Sequence, residues 1–215
     1  MLLSTAYFPP AEYFALMARD MALSPDRVLP SVAMVEACEN YQKQSYRDRC
    51  YILASDGPQM LQVPVVHGAD MSIQQVLIDY STPWVVRTER ALATAYETSA
   101  FFEYYAPELF ALLECGEPRL WDFNLRLTEW CAAKAGVHCQ LQATEDFAAP
   151  GTVEDDFRFS IHPKRPMPEI SLKPWYQVFK EKAGGFTPGL SILDLLFNEG
   201  PDSISFIRPQ QTCNR

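Results

Sequence analysis

Cations and polar donors are concentrated in residues 39–50, which read Glu-Asn-Tyr-Gln-Lys-Gln-Ser-Tyr-Arg-Asp-Arg-Cys. Lys43, Arg47 and Arg49 fall at odd positions, so an extended strand would present all three on one face. On a helix, Lys43 and Arg47 would still be neighbours. Guanidinium forks beside an ammonium group suit phosphate or carboxylate groups. The stretch is therefore predicted to bind an anionic group.

A solvated charged surface without a binding role is the alternative interpretation of the same stretch, because scattered surface charges contribute little to stability or function. Two features favour the binding interpretation. The stretch is flanked by apolar runs, and it lacks the Glu partners that a surface helix rich in salt bridges carries.

The charge of the whole chain restricts its partners. The formal net charge is −9 over 215 residues, whereas binding of nucleic acid or of an anionic membrane requires a basic surface. Recognition of an anion must then be local, and the expected partner is a small anionic molecule. No apolar stretch approaches the roughly 20 residues of a spanning helix, and the N-terminus has no basic leader, so a cytoplasmic location without a membrane span is expected.

Motifs for cofactor, metal and nucleophilic chemistry are missing. The six cysteines form no CxxC pair and are interpreted as reduced thiols, so neither a metal site nor a cofactor is predicted. There is no P-loop, GxGxxG turn, HExxH or GxSxG motif. Of the three histidines, His162 beside Lys164 is the strongest functional candidate, although a surface role is the simpler interpretation. No catalytic residue is assigned.

Hydrophobic patterns predict a single α/β domain over residues 1–206, followed by a polar tail at residues 207–215. An apolar strand at residues 2–8, a Pro9-Pro10 turn, a helix and a second strand at 28–38 form a Rossmann-like strand–helix–strand opening. A mixed sheet flanked by helices is expected. The turn Ser-Asp-Gly-Pro predicts a hairpin between residues 50–54 and 60–66.

The remaining elements are predicted from apolar periodicity and turn residues. Strands are expected at 75–79, 137–141 and 157–161, and helices at 85–98, from Pro107, at 120–135 and at 191–197. Gly136 is the expected cap of the third of these helices. Ser191 and Asp194 have the spacing of a capping box, which predicts structural roles for both in the last helix.

Four segments together resemble the WbqC-like proteins, and the resemblance covers nearly the whole chain. They are Tyr7-Phe8-Pro9-Pro10 with Glu12-Tyr13-Phe14, Glu39-Asn40-Tyr41 with Lys43 and Tyr46-Arg47-Asp48-Arg49, Gly57-Pro58 to Val63-Pro64, and Phe186 to Gly200. The resemblance implies a role in assembly of a bacterial surface polysaccharide, O-antigen or capsule, with glycyl or other acyl transfer to an amino sugar.

In a transferase of this kind, Lys43, Arg47 and Arg49 would hold the anionic group of a sugar nucleotide or acyl donor, and the pocket would be lined by tyrosines. These are Tyr7, Tyr13 and Tyr41. Two positions depart from the family pattern: Asp48 replaces a usual asparagine and Thr88 replaces a usual histidine. If that histidine is a general base, this chain lacks it, so a non-catalytic binding module is the alternative.

Overall fold

Strands dominate the first part of the chain and helices the later part, within residues 1–24, 27–66, 71–165, 170 and 172–208, which are the residues that the computed structural model describes. The strands are β1 (Leu2–Ser4), β2 (Ala22–Ser24), β3 (Arg27–Leu29), β4 (Ser31–Glu36), β5 (Arg49–Ala54), β6 (Gly57–Gln62), β7 (Val65–Val66), β8 (Leu77–Ile78) and β9 (Cys139–Ala143). The α-helices are α1 (Ala11–Arg19), α2 (Trp84–Tyr96), α3 (Phe102–Leu113), α4 (Leu120–Lys134), α5 (Ile192–Glu199) and α6 (Ile204–Ile207).

The central sheet is parallel, with strand order β1-β4-β9. Leu2 is in register with Met34, and Ser31 with Cys139. Helix α1 connects the first two strands of this sheet and is buried along nearly its whole length, as expected of a helix that is apolar on most sides. The predicted α/β class and the strand–helix–strand opening are therefore confirmed.

Antiparallel pairing occurs in three separate ribbons, β2-β3, β5-β6 and β7-β8. The β5-β6 ribbon is the predicted hairpin. Its second strand begins at Gly57 rather than at residue 60, and Gly57 has φ +118°, a backbone conformation that L side chains rarely adopt. Glycine at this position allows the tight reversal between the two strands.

Several predicted elements are wrong in extent or type. The strand expected at 2–8 is limited to β1, and the strand expected at 75–79 is a 3-10 turn, Ile73–Gln75, followed by the short β8. The strand expected at 28–38 is divided into β3 and β4 by Pro30, which has no N–H to donate to a strand ladder. The helix expected from Pro107 begins at Phe102. The strand expected at 157–161 is a series of turns, because Arg158, which an alternating strand would direct outward, is turned inward and buried.

The predicted helix ends are partly confirmed. Helix α4 is followed by Gly136 at φ +72°, and the Ser191 hydroxyl caps α5 by accepting from Leu193 N at 3.3 Å. Asp194 does not cap α5, because its buried carboxyl group accepts hydrogen bonds from side chains of other segments. That part of the capping prediction is wrong.

The C-terminal part of the chain packs into the common apolar core. Helix α6 follows α5 through a short 3-10 turn, and its last residue, Ile207, is fully buried. Most of the predicted tail, residues 209–215, lies outside the described residues, as does His67. Among the helices described here, none has the length and apolar character needed to cross a membrane.

Candidate functional site

Buried charged side chains are gathered at the carboxyl edge of the parallel sheet. Ser4 is the last residue of β1 and Glu36 the last of β4, and Glu39 follows Glu36 by one short turn. In open α/β sheets, ligands bind outside this edge of the strands. Two arginines from distant parts of the chain, Arg47 and Arg158, pair with these two glutamates.

The first pair joins Arg47 and Glu39, whose side chains are 3% and 4% exposed. Arg47 Nε donates to Glu39 Oε1 at 2.8 Å, and Nη2 donates to Glu39 Oε2 and to Ser4 Oγ. Burial raises the pKa of Glu39, and the guanidinium opposes that rise. The expectation that residues 39–50 lack an acidic partner is wrong, because Glu39 within the same stretch occupies the fork of Arg47.

The second pair was missed by sequence reasoning, because the alternating pattern placed Arg158 on an outer face. Its Nη1 donates to Glu36 Oε2 at 2.6 Å, and Nη2 donates to Asp156 Oδ2 at 2.6 Å. These hydrogen bonds lower the pKa of Asp156. The guanidinium carbon also lies 5.2 Å from the ring centroids of both Phe147 and Phe159, so Arg158 holds two aromatic side chains at the sheet edge.

The polar part of the predicted site is held by Asp48. Residues 41–48 form turns, neither strand nor helix. The regular structure that was predicted to place Lys43 and Arg47 on one face is therefore absent. Tyr41 Oη donates to Asp48 Oδ2 at 2.9 Å, Arg49 Nε to Oδ1 at 3.4 Å, and Gln62 Nε2 to Oδ2 at 2.8 Å. Lys43 is exposed.

The other two predicted tyrosines are buried. Tyr13 Oη donates to Ser4 O at 2.9 Å, so this buried side chain holds the end of β1 in place. Tyr7 lies in the core, where its ring stacks on Phe123 and is tilted against Phe8. Burial raises the pKa of both tyrosines well above the ordinary value, so both remain neutral phenols at neutral pH.

An open cavity of about 390 Å³ lies beside these residues. It is lined by Cys38, Glu39, Asn40, Gln42, Phe147 and Phe159. The volume lies within the range of small-molecule sites, and the lining combines aromatic rings with a few polar groups, as such sites do. The structure thus joins the predicted stretch to two aromatic residues that no local sequence pattern had indicated.

Cations surround His162, which is half-buried. Burial lowers the pKa of its imidazole, and so do four neighbouring cations, Arg165, Arg47, Lys164 and Arg49. His162 Nδ1 accepts from the Lys164 backbone N–H at 3.1 Å. The neutral ring therefore carries its proton on Nε2, which makes Nε2 a hydrogen-bond donor rather than a base.

Two contacts connect the cations near His162 to the cavity. Arg165 Nη1 donates to the carbonyl oxygen of Phe159 at 2.8 Å, and Lys164 Nζ donates to Gln44 Oε1. Phe159 lines the cavity, and Gln44 is two residues from Gln42, which also lines it. We call Lys164, Arg165 and Arg49, which lie around the neutral His162, the cationic rim.

Other possible centres of chemistry lie elsewhere. Thr88, where relatives are expected to carry a histidine, is buried in α2 and lines a different cavity, between β6 and α2. In the part of the chain that the structure describes, no group of three or more His, Cys, Asp or Glu side chains could hold a metal ion. Glu39 is the carboxyl group that lines the cavity at the sheet edge.

A parallel sheet with buried arginines and a cationic rim at its carboxyl edge defines an α/β protein with a candidate small-molecule site. Comparison with known proteins identifies the family: the chain belongs to the WbqC-like protein family, whose sequence profile matches residues 5–162. It is similar to the uncharacterized protein Rv1507c of Mycobacterium tuberculosis, with 31% identity over 194 residues, which cover 78% of this chain and 84% of the relative. No solved structure matches the chain.

Proposed function

We propose that the chain binds a sugar nucleotide at the carboxyl edge of its parallel sheet and serves assembly of a bacterial surface polysaccharide in the cytoplasm. One observation carries the binding proposal: Lys164 and Arg165, which form no ion pair within the described residues, lie near His162 beside an aromatic-lined cavity, in a chain whose net charge is −9. Cations gathered at one place in an acidic protein create a local attraction for an anion. The polysaccharide role is supported by membership of the WbqC-like family.

The chemistry of a sugar nucleotide fits the two parts of the site. The rings of Phe147 and Phe159 provide apolar faces for a base or a sugar ring. The amides of Asn40 and Gln42 carry both donors and acceptors, which match sugar hydroxyl groups. The cationic rim would bind the diphosphate through charge-assisted hydrogen bonds, with His162 Nε2–H as a neutral donor.

The six residues predicted from the sequence divide by role in this proposal. Lys43, Tyr41 and Arg49 belong to the ligand side, because Lys43 is exposed and the other two are only partly buried. Arg47 orients Glu39 through its two-point contact, and Tyr13 fixes the end of β1. Tyr7 is a core residue and does not contact the ligand in this proposal.

Acyl or aminoacyl transfer to an amino sugar is the second candidate function, and Glu39 favours it. This carboxyl group lines the cavity, and burial raises its pKa, as is common for catalytic acids and bases. The sugar amine would attack the acyl carbonyl, Glu39 would accept the proton of the amine, and the donor's leaving group would depart. A chain that binds without transferring would be a binding module.

Thermal unfolding and titration calorimetry with UDP-N-acetylglucosamine and with acetyl-coenzyme A test the proposal. A ligand of the folded state raises the melting temperature, and Lys164→Gln should weaken the binding about tenfold because it removes one charge-assisted contact. Lys182→Gln is the matched control, since Lys182 is also exposed but does not line the cavity. No binding of either compound, or equal binding by both variants, would contradict the proposal.

The same samples separate transfer from simple binding. With both compounds and an amino sugar present, mass spectrometry would detect an acylated sugar if the chain is a transferase. Glu39→Gln should then lose product formation while retaining the binding of UDP-N-acetylglucosamine, provided that its melting temperature shows a folded protein. Binding without any product would support the binding module.

A further inference from the structure

A second cavity, of about 400 Å³, lies between β6 and the first turns of α2. None of the residues that line it lines the cavity at the sheet edge. Its polar lining residues are Gln59, Gln62, Thr82, Arg87 and Thr88, and its apolar wall includes Trp84 and Met60. A cavity of this volume accommodates a small molecule.

Positive charge at this cavity is not balanced by the protein. Arg87 is exposed and forms no ion pair with any residue in the described ranges. It lies in the first turns of α2, whose first turn contains no acidic residue and whose N-cap, Pro83, provides no side-chain cap. The amino end of a helix carries a partial positive charge, so an anion bound beside Arg87 would be stabilised by both charges.

Trp84 gives independent evidence for a missing polar partner. The residue is only 3% exposed and lines the cavity. Its indole Nε1 is buried, and no described residue accepts a hydrogen bond from it. A buried donor without an acceptor costs free energy, and such groups call for a specific explanation. A ligand with an acceptor atom would satisfy it.

The exposed apolar surface indicates what else the ligand carries. Met60 is 43% exposed although it lies on a strand that packs against α2, and Leu61, Pro64 and Ala91 continue the apolar wall. An apolar body on this wall would remove that surface from water. An inorganic anion would leave it exposed.

We propose that this cavity is a second binding site, which takes an oxyanion, carboxylate or phosphate, carried on a short apolar body. The oxyanion contacts Arg87 and accepts a hydrogen bond from the Trp84 indole N–H, and the apolar body lies against Met60. The site is separate from the proposed sugar-nucleotide site, and its existence does not depend on that proposal.

The indole N–H resonance of Trp84 in ¹H–¹⁵N NMR spectra reports directly on this cavity. The chain has four tryptophans, and Trp84→Phe assigns the signal. Hexanoate and hexyl phosphate are the two anionic probes, and hexanol is the neutral control. Saturable shifts of the Trp84 signal with at least one anion, but only weak ones with hexanol, are expected, and the better anion identifies the head group.

Two variants with the same loss of charge make the test specific. Arg87→Gln should weaken binding of the better anion about tenfold or more, whereas Arg90→Gln, exposed on the same helix but outside the cavity, should bind like the wild type. The inference is overturned if neither anion shifts the Trp84 signal. It is also overturned if hexanol binds equally well, or if the two variants behave alike.

Discussion

Replacement of Asp194 by alanine should destabilise the chain far more than loss of a helix cap. The carboxyl group is fully buried. Asp194 Oδ1 accepts from Tyr96 Oη at 3.0 Å, and Oδ2 accepts from Trp175 Nε1 at 2.7 Å and from Gln177 Nε2 at 2.9 Å. It therefore connects α5, α2 and the segment before α5.

The magnitude follows from what each donor loses. Trp175 Nε1 and the Tyr96 hydroxyl proton would lose their acceptor, whereas Gln177 Nε2 would keep its second acceptor, the carbonyl oxygen of Thr187 at 3.0 Å. A buried donor without a partner costs about 1–3 kcal/mol. The substitution leaves two such donors, but it also removes the cost of burying the carboxyl group. Asp194→Ala should therefore lower the free energy of unfolding by about 3 kcal/mol.

Urea unfolding of Asp194→Ala beside Ser191→Ala measures this difference. Ser191→Ala removes only the acceptor for Leu193 N and should cost about 1 kcal/mol, the usual value of a cap. If Asp194→Ala costs no more than Ser191→Ala, the three-donor arrangement does not stabilise the fold as described.

The remaining predictions concern the buried ionised groups. Arg47→Lys loses the two-point contact with Glu39 and should lower the free energy of unfolding by about 2 kcal/mol, so unchanged urea stability would contradict the pairing. Arg158→Lys should cost about 3 kcal/mol, because Glu36 would be left buried and poorly paired, and equal stability to wild type would refute this. Burial raises the pKa of Asp194 from 3.8 to about 6. The fold therefore favours the protonated form, whose stabilisation is present below pH 3.8 and is lost as the pH rises through about 6. Relative to Asp194→Asn, wild type should lose stability over that range in urea titrations, and parallel pH profiles would contradict it.

The elements predicted correctly from the sequence are those determined by local chemistry. The pattern of α4 and the glycine after it, Gly136, identify a helix and its end without reference to the rest of the fold. The β5-β6 hairpin follows from a turn that contains Gly57. By contrast, Arg158 lies 122 residues from Glu36 in the chain, and no local pattern shows that such a pair will turn a predicted strand inward.

The candidate site could be predicted only in part, for the same reason. Charge alone identified residues 39–50, but the partner of Arg47 could be found only once turns, rather than a strand, had brought Glu39 beside it. The cationic rim depends on the return of the chain to β1, where the N–H of Phe157 donates to Leu2 O at 2.9 Å. That contact places the following residues, including His162, near the sheet edge. In the sequence, the only sign of this arrangement is a histidine close to a lysine.

The pKa of the His162 imidazole, measured by NMR with and without UDP-N-acetylglucosamine, tests the proposed anion site most directly. His162→Gln assigns the signal among the three histidines. In the free protein the pKa should lie below its ordinary value of 6.5, because burial and the neighbouring cations oppose protonation. A bound diphosphate would offset those cations and raise the pKa. A pKa at or above 6.5 in the free protein, or no change on saturation with the sugar nucleotide, would contradict the account.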